Sequence, residues 1–407
     1  MSFNVMISVE KAQGLVTASI PVAQKETVSL LAALGCVIAE DIKSPLDMPL
    51  FDNSAMDGFA FRAPEEPARL AIRGILKAGD PRSRIKPGEA WRIMTGAPIP
   101  YGADTVLAQE KAEVVQKVLV LHEPAAKGKN IRYKGEELKK GKKVISRGTA
   151  ITPATIGILA GFGKTEVEIF KRPRISIIAT GSELAAPGSD LSSGKIYDSN
   201  SSMVHAALLQ MGIHPVFAKR LDDQPKKIKQ LIEHALRESD LVILMGGVSA
   251  GETDHVRPAL VALGVETLFW KVNQKPGKPI YFGKKENTLV FGLPGNPAAV
   301  FTCFYEYVYP AIRRFMGFQE PYLETKSLPV RGSIEADPEK ALFLKARVEF
   351  SGGRSVVTTL GGQSSHMISS LQEANGILVI PSNQSVEEGR EALVHLLPYG
   401  TENSHAG

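Results

Sequence analysis

The stretch LVILMGGVSAGETD, residues 241–254, decides how the central part of this chain is expected to fold. Its first five residues form a continuous apolar run, which predicts a β-strand that is buried on both faces. Two glycines follow at once, and hydroxyl and carboxylate side chains then lead to Asp254. Ligands of open parallel sheets bind beyond the carboxyl ends of the strands, so this polar tip predicts a ligand-binding edge.

Strand and helix patterns alternate around this stretch, from about residue 174 to residue 317. The predicted strands are ISIIAT, IHPVFA, LVILM, VETLFW, IYFG and NTLVFGL, and the helical segments include DSNSSMVHAALLQMG and DDQPKKIKQLIEHALRES. Repeated βα units predict a parallel sheet with helices on both faces. Two further glycine-rich segments, ATGSEL and GLPGNPAA, also come at strand ends. Bare glycine backbone and helix N-termini favour phosphate, so the three tips predict a nucleotide or phosphate ester with acids as magnesium ligands.

The regions that flank the α/β pattern differ from it in composition. Residues 48–135 contain short strands between Gly and Pro turns, and residues 319–407 contain the strand-like segments LFLKARVEF, SVVTTL, GILVIP and ALVHLLP. The segments ETVSLLAALG and TPATIGILAGFG have helical patterns. We therefore predict a multidomain α/β protein. It has a discontinuous domain of residues 1–47 and 136–172, an inserted β-rich domain of residues 48–135, an α/β domain of residues 173–318 and a C-terminal β-barrel of residues 319–407.

The overall composition bounds the class of protein. A chain of 407 residues is long enough for three or four domains, and 43% hydrophobic with 22% charged residues is typical of a packed globular protein. The net charge of +5 suits an anionic small molecule and does not indicate a nucleic-acid partner. Cys36 and Cys303 lie far apart, which argues against a disulfide scaffold or a zinc site. No secretory or membrane segment is recognisable, so a cytoplasmic protein is expected.

Taken singly, the polar residues at the predicted edge have ordinary explanations. Glu183, Asp223 and Asp254 come near helix starts, where an acid can cap the helix instead of binding a metal. The loop KVNQKPGKP carries Lys271, Lys275 and Lys278 between two prolines and a glycine. It is either a solvated positive loop or a rigid frame that holds an oxyanion. The segments FDNSAMDGFAF and MTGAPIPYGAD are either structural turns or tethered functional loops.

The combination of motifs is more informative than any one of them. FDNSAMDGFAF, MTGAPIPYGADTV, ATGSEL, GKIYDSN, GGVSAGETD, KPGKP and GLPGNPAAV occur in this order. The chain thereby resembles the molybdopterin molybdenumtransferase family, which includes MoeA and the gephyrin E-domain. The resemblance implies elongated four-domain subunits in a head-to-tail homodimer, with the active site between the α/β domain of one subunit and the β-rich domain of the other. It also implies hydrolysis of the adenylyl anhydride of adenylylated molybdopterin with Mg²⁺ and insertion of molybdate, which releases AMP and molybdenum cofactor.

The same resemblance implies individual site residues. The catalytic set is Asp57, Thr95, Glu183, Asp223, Asp254, Lys271 and Lys275, with Glu183 and Asp254 as the metal ligands. The residues expected to bind the pterin nucleotide or molybdate are Gly181, Ser182, Gly246, Gly247, Ser249, Pro276, Lys278, Lys345 and Ser365. Three positions depart from the family pattern: Glu137 and Lys345 replace the usual Asp and Arg, and Ala299 replaces a frequent Ser.

Other functions remain open at this level. The α/β region alone also resembles molybdopterin adenylyltransferases, which are in addition a candidate partner of this chain. The resemblance to the gephyrin E-domain leaves a non-catalytic molybdopterin-binding scaffold as an alternative function. Tungstate is an alternative oxyanion, because it has nearly the size and charge of molybdate.

Overall fold

The computed structural model describes residues 6–64, 66–248, 254–351 and 354–399. The chain divides into two compact units. The first unit consists of the residues up to Ala39, of Gly148–Pro153 and of the residues from Glu166 onward, and the second consists of Glu40–Arg147 and Ala154–Thr165. None of the helices in the described part of the chain has the length and hydropathy needed to span a bilayer.

The α-helices are α1 (Val9–Ser19), α2 (Pro153–Gly161), α3 (Ser199–Gln210), α4 (Pro225–Glu238), α5 (Val256–Ala262), α6 (Pro297–Cys303) and α7 (Tyr309–Phe315). A π-helical turn, Phe304–Val308, joins α6 to α7, and short 3-10 turns occur at Gln109–Lys111 and Ser369–Leu371.

The strands of the N-terminal half are β1 (Lys25–Ser29), β2 (Ile42–Lys43), β3 (Asn53–Ser54), β4 (Gly58–Phe61), β5 (Ala68–Leu76), β6 (Glu89–Ile93), β7 (Thr105–Ala108), β8 (Glu113–Val115), β9 (Val118–Leu121), β10 (Ile131–Arg132), β11 (Lys143–Ile145), β12 (Glu166–Phe170), β13 (Ile175–Thr180), β14 (Leu184–Ala185) and β15 (Ile196–Tyr197). The later strands are β16 (Phe217–Leu221), β17 (Leu241–Met245), β18 (Glu266–Trp270), β19 (Gln274–Lys275), β20 (Tyr281–Lys285), β21 (Thr288–Leu293), β22 (Glu324–Arg331), β23 (Ala341–Ser351), β24 (Arg354–Thr359), β25 (Gly376–Ile380) and β26 (Glu391–Leu396).

The central sheet of the first unit has the strand order β16-β13-β17-β21-β20-β18. Successive residues of its strands point to opposite faces: Ile177 and Ile243 pack into one apolar cluster, and Ile178 and Val242 pack into another. The prediction that ISIIAT and LVILM are strands buried on both faces is therefore confirmed.

The sheet is parallel only in its first four strands. β16, β13, β17 and β21 pair in parallel, whereas β20 pairs antiparallel with both β21 and β18. The link from β20 to β21 is a tight turn in which Glu286 has φ +53°. A connection this short can only reverse the chain, because a parallel pair needs a crossover of a dozen residues or more. The parallel strands nevertheless place their carboxyl ends at one edge.

Two predicted elements are wrong in detail. ETVSLLAALG is not a helix: β1 pairs antiparallel with β12, and the chain then turns and reaches Gly35 with φ +75°. This pairing joins segments that lie about 140 residues apart, so a local helical pattern carries no sign of it. The strand predicted as IHPVFA begins only at Phe217, since Pro215 has no N–H to give to a sheet.

The C-terminal strands close into a barrel, as predicted. β22, β23, β24, β25 and β26 form a ring because β23 pairs with both β24 and β25. Val330, Val348, Leu378 and Val394 are buried inside this ring. β19, which carries Lys275, adds to the outside of the barrel by pairing with β23.

The second unit contains the β-rich region. Its largest sheet has the order β7-β4-β6-β5-β9-β8, and two apolar clusters cover it, one around Phe61 and Leu119 and one around Ile93 and Val106. The segment TPATIGILAGFG forms α2, as expected. The four domain boundaries drawn from the sequence stay a prediction.

Candidate functional site

A cavity of about 340 Å³ lies at the carboxyl ends of the parallel strands in the first unit. Its walls combine the three glycine-rich tips with three acidic side chains. The lining residues are Thr180, Gly181, Glu183, Asp223, Gly246, Gly247, Val248, Asp254, Pro279, Pro294, Gly295 and Asn296. The structure therefore brings Gly181, Glu183, Asp223, Gly246, Gly247 and Asp254 together, which the sequence placed on separate segments.

The first tip is held by Asp223. The Ser182 backbone N–H donates to Asp223 Oδ2 at 3.0 Å, and the Asp223 backbone N–H donates to Ser182 Oγ at 3.1 Å. α4 begins beyond this residue, and its N-cap, Gln224, makes no side-chain capping bond. Asp223 thus clamps the neighbouring tip and does not cap a helix.

The second tip follows β17 and consists of glycines in left-handed conformations. Gly246 has φ +78° and Gly247 has φ +65°. A Cβ on Gly246 would lie 2.3 Å from the Thr180 carbonyl oxygen, so this close approach requires glycine. The next residue, Val248, accepts a hydrogen bond from the indole N–H of Trp270 at 2.9 Å. The predicted ligand-binding residue Ser249 lies outside the described residues.

Asp254 is the most unusual acid of the cavity. Burial raises its pKa from 3.8 to about 6, although the backbone N–H groups of Val256 and Arg257 and the charge of Arg257 oppose this rise. Both carboxylate oxygens are buried, and within the described ranges neither has a hydrogen-bond partner of good geometry. A buried carboxylate that is met only by poorly aligned backbone N–H groups is costly unless a ligand or a cation satisfies it.

Glu183 lines the cavity next to Gly181, which has no side chain. A Cβ on Gly181 would lie 2.7 Å from each carboxylate oxygen of Glu183, so the acid folds back over this glycine. Glu183 and Asp254 line the same cavity. Among the described residues, no three His, Cys, Asp or Glu side chains cluster as a complete metal site. A cation held here would need further oxygen atoms from a substrate, from water or from other side chains.

The lysine loop, residues 271–280, has a rigid backbone. Lys271 is in a left-handed conformation with φ +74°, and its N–H donates to the Ile280 carbonyl oxygen at 3.0 Å. The fully buried Gln274 donates to the Pro276 carbonyl oxygen at 3.0 Å and accepts a hydrogen bond from the Tyr307 hydroxyl. Lys275 and Lys278 are exposed, so the loop presents cations on a fixed frame.

The third tip connects the sheet edge to the barrel. Asn296 precedes α6, and its side-chain amide donates to Ser365 Oγ at 2.9 Å. The Ala298 N–H donates to the Ser365 carbonyl oxygen at 3.0 Å. Because Asn296 lines the cavity, these bonds hold Ser365 next to a lining residue, and its role in ligand binding stays a prediction.

Lys345 occupies a different environment from an exposed ligand-binding lysine. The residue is only 4% exposed, and burial lowers the pKa of its ammonium group. Its Nζ donates to the Gly362 carbonyl oxygen at 2.5 Å and to the Met367 carbonyl oxygen at 3.4 Å. Lys345 therefore supports the loop that carries Ser365, and a role in ligand binding stays a prediction.

Asp57 and Thr95 form a local pair in the second unit. Asp57 Oδ1 accepts hydrogen bonds from the backbone N–H and from the hydroxyl of Thr95, both at 2.7 Å. These bonds hold the pKa of Asp57 below its usual range. The pair keeps this carboxylate ionised and oriented. Its catalytic role stays a prediction.

Trp270 and Arg257 were missed by the sequence analysis. The Arg257 guanidinium carbon lies 3.5 Å from the centroid of the Trp270 ring, and Lys271 Nζ lies 3.9 Å from it. Trp270 is only 6% exposed. It thus supports two cations and, through Val248, the second tip. The available signal was an aromatic residue directly before Lys271.

The fold and this cavity define a multidomain α/β protein with an acidic, glycine-lined site at the carboxyl ends of parallel strands. Three family models match this chain, and together they cover most of it. Residues 7–163 match the MoeA N-terminal region (domain I and II), residues 176–314 match a probable molybdopterin binding domain, and residues 327–397 match the MoeA C-terminal region (domain IV).

Whole-length relatives give the same result. Molybdopterin molybdenumtransferase 2 of Mycobacterium tuberculosis is 35% identical, covering 93% of this chain and 96% of its own. The molybdopterin molybdenumtransferase of Haemophilus influenzae is 34% identical, covering 92% of this chain and 94% of its own. A crystal structure of the MoeA protein from Pyrococcus horikoshii superimposes with a TM-score of 0.81 at 31% identity, covering 96% of this chain and 99% of that one. The chain belongs to the MoeA family of molybdopterin molybdenumtransferases.

Proposed function

We propose that this chain inserts molybdate into adenylylated molybdopterin and cleaves the adenylyl anhydride in a Mg²⁺-dependent step, releasing AMP and molybdenum cofactor. Its family makes it a transferase of molybdenum cofactor biosynthesis. The identity of the nucleotide-linked substrate and the use of Mg²⁺ are our proposals. So are a head-to-tail homodimer, an adenylyltransferase as supplier of the substrate, and a cytoplasmic location.

The observation that carries the proposal is the cavity at the strand ends. Three glycine-rich tips offer backbone approach to an anion, and acidic side chains stand among them. A phosphoanhydride together with a divalent cation would satisfy both features, because the cation neutralises the repulsion between carboxylates and phosphate.

The acids of the cavity fit a cation. Both oxygens of Asp254 are buried without a well-aligned hydrogen-bond partner in the described part of the chain, and Glu183 lines the same cavity. These two carboxylates would hold Mg²⁺, which usually takes one or two protein carboxylates together with substrate phosphates. A bound Mg²⁺ would neutralise negative charge that develops on the anhydride oxygens.

The remaining residues bind and orient the substrate. Lys271, Lys275 and Lys278 supply positive charge from a rigid loop, which suits phosphate and molybdate oxygens. Asp223 keeps the first tip in place through Ser182. Asp57, held by Thr95, would orient the pterin or accept a proton; its lowered pKa favours the orienting role, because it weakens the carboxylate as a base. Holding both reactants in one site would supply much of the rate.

The test is an incubation of the protein with adenylylated molybdopterin, molybdate and Mg²⁺, followed by chromatography of the nucleotides. Release of AMP with formation of molybdenum cofactor is the expected result. Consumption of ATP with molybdopterin would indicate an adenylyltransferase, and absence of both reactions would indicate a binding scaffold. A parallel series with tungstate measures the preference between the two oxyanions.

A pair of variants sharpens this assay. Asp254→Ala should still bind the pterin but should fail to release AMP. Asp190→Asn, at an exposed acid outside the cavity lining, is the matched control and should keep full activity. Undiminished AMP release by Asp254→Ala would remove Asp254 from the mechanism.

A further inference from the structure

Thr180 is a polar residue in the lining of the cavity, and nothing described so far explains its hydroxyl. It is the last residue of β13, it is only 4% exposed, and it lines the cavity together with Glu183 and Asp254. Its hydroxyl oxygen is buried and has no hydrogen-bond partner in the parts of the chain that the structure describes. This hydroxyl has no role in the proposed reaction.

A buried hydroxyl without a partner is rare in folded proteins, because it has lost its hydrogen bonds to water and has gained none in return. Valine has nearly the same shape and would fill the same space without this cost. Because Thr180 lines the cavity, a ligand bound there would supply the partner that the hydroxyl lacks.

The backbone around Thr180 is shaped for a close approach. A Cβ on Gly247 would lie 2.9 Å from Thr180 Oγ1 and 2.6 Å from Val256 Cγ2. The second tip therefore runs directly against the hydroxyl, and it does so with a residue that has no side chain. The last strand residue and this tip both line the cavity.

The partner must also suit Asp254. Asp254 and Thr180 line the same cavity, and neither the carboxylate of Asp254 nor the Thr180 hydroxyl has a side-chain hydrogen-bond partner among the described residues. A divalent cation accepts lone pairs from carboxylate and hydroxyl oxygens alike, and Ser or Thr hydroxyls hold Mg²⁺ in other phosphate-processing sites. A cation bound between Thr180 and Asp254 would give the hydroxyl and the carboxylate a common partner.

We propose that Thr180 is a further metal-binding residue, whose hydroxyl oxygen joins Asp254 and Glu183 in holding the divalent cation at the strand ends. The inference rests on the proposed function, from which it takes the cation. It goes further by naming a third metal-binding residue. With the two carboxylates alone, most of the coordination would be left to substrate and water.

The test measures metal binding and stability separately from activity. Mn²⁺ binding to the full-length protein is followed by electron paramagnetic resonance, with and without AMP, for the wild type, Thr180→Val and Thr180→Ser. We expect Thr180→Val to weaken Mn²⁺ binding about tenfold and Thr180→Ser to restore most of it. The unfolding midpoint of metal-free Thr180→Val should stay the same or rise, because the substitution removes an unpaired polar group.

Thr358→Val is the matched control. The Thr358 hydroxyl is also buried without a partner in the described residues, but it lies on barrel strand β24 and does not line the cavity. Its substitution should leave Mn²⁺ binding unchanged.

Two results would overturn the inference. One is unchanged Mn²⁺ affinity in Thr180→Val, whatever the metal-free stability of that variant. The other is weaker AMP binding in metal-free buffer without weaker Mn²⁺ binding, which would make the hydroxyl a hydrogen-bond donor to phosphate. The AMP-release assay of the wild type decides the proposed function independently. Tight Mn²⁺ binding that depends on Thr180, without AMP release, would leave this inference standing and would remove the function.

Discussion

Trp270 should control how tightly the strand ends hold an anionic ligand, since its indole ring supports two cations and one tip. The Arg257 guanidinium carbon lies 3.5 Å and Lys271 Nζ 3.9 Å from the ring centroid. The indole N–H donates to the Val248 carbonyl oxygen at 2.9 Å. Trp270→Leu removes all three interactions, whereas Trp270→Phe removes the N–H and keeps an aromatic face.

The size of the effect follows from these contacts. Each cation–π contact at a partly exposed site contributes about 0.5–1 kcal/mol, so the two together contribute about 1–2 kcal/mol. This corresponds to a change in affinity of about 5- to 30-fold if the cations must be held in place for binding. The hydrogen bond to Val248 contributes about 1 kcal/mol to the stability of the ordered conformation of the second tip. We expect Trp270→Leu to weaken AMP binding by about tenfold or more, and Trp270→Phe to weaken it less.

Isothermal titration calorimetry of AMP in Mg²⁺ buffer measures this affinity, and the KM of the AMP-release reaction provides a second reading. The chain contains two tryptophans, so the same substitutions at Trp91, in the second unit, are the matched control. The reasoning would be refuted if Trp270→Leu bound AMP as tightly as the wild type, or if Trp91→Leu had an equal effect.

Three further predictions concern charge, backbone space and pH. Asp254→Asn keeps the shape of the side chain and removes its charge, so AMP release should fall by about 100-fold or more in the chromatographic assay, with AMP binding in metal-free buffer retained. Gly246→Ala should destabilise the first unit by about 2 kcal/mol or more in urea unfolding, because its Cβ would lie 2.3 Å from the Thr180 carbonyl oxygen at a position with φ +78°; an unchanged midpoint would contradict this. His395 Nδ1 lies 2.8 Å from buried Glu306 Oε1; burial lowers the pKa of the imidazole, but the hydrogen bond and charge of Glu306 outweigh this and raise it above 6.5. The His395–Glu306 pair therefore stabilises the fold fully below pH 6.5, and this stabilisation is lost as the pH rises through the folded pKa of His395. The difference in unfolding free energy between the wild type and His395→Gln should narrow between pH 6 and pH 9, and a constant difference would contradict the assignment.

Much of the fold could be predicted from local patterns. The segments ISIIAT and LVILM have the unbroken apolar composition that only a strand covered on both faces needs, and the structure places them in the middle of the sheet. The glycine-rich ends of these strands also predict the edge at which the cavity lies. α4 is equally clear, since its apolar residues recur at helical spacing and Pro225 starts it.

The errors occurred where distant segments decide the local structure. Residues 25–29 form a strand because β12, about 140 residues later, offers them an antiparallel partner. Glu266–Trp270 joins the sheet in the antiparallel sense because the hairpin of β20 and β21 lies between it and the parallel strands. Neither partner is visible in a local window of sequence.

The candidate site divides in the same way. Motif order and residue type predicted the family, and they also predicted that the glycines and acids which line the cavity would meet at the strand ends, where ligands of open parallel sheets bind. Only the tertiary structure decided that Asp223 clamps Ser182, that Asn296 holds Ser365 and that Lys345 is buried beneath a loop. These roles depend on which atoms lie within about 3 Å of one another after folding, and a hydrogen bond is too short-ranged for sequence spacing to specify its partner.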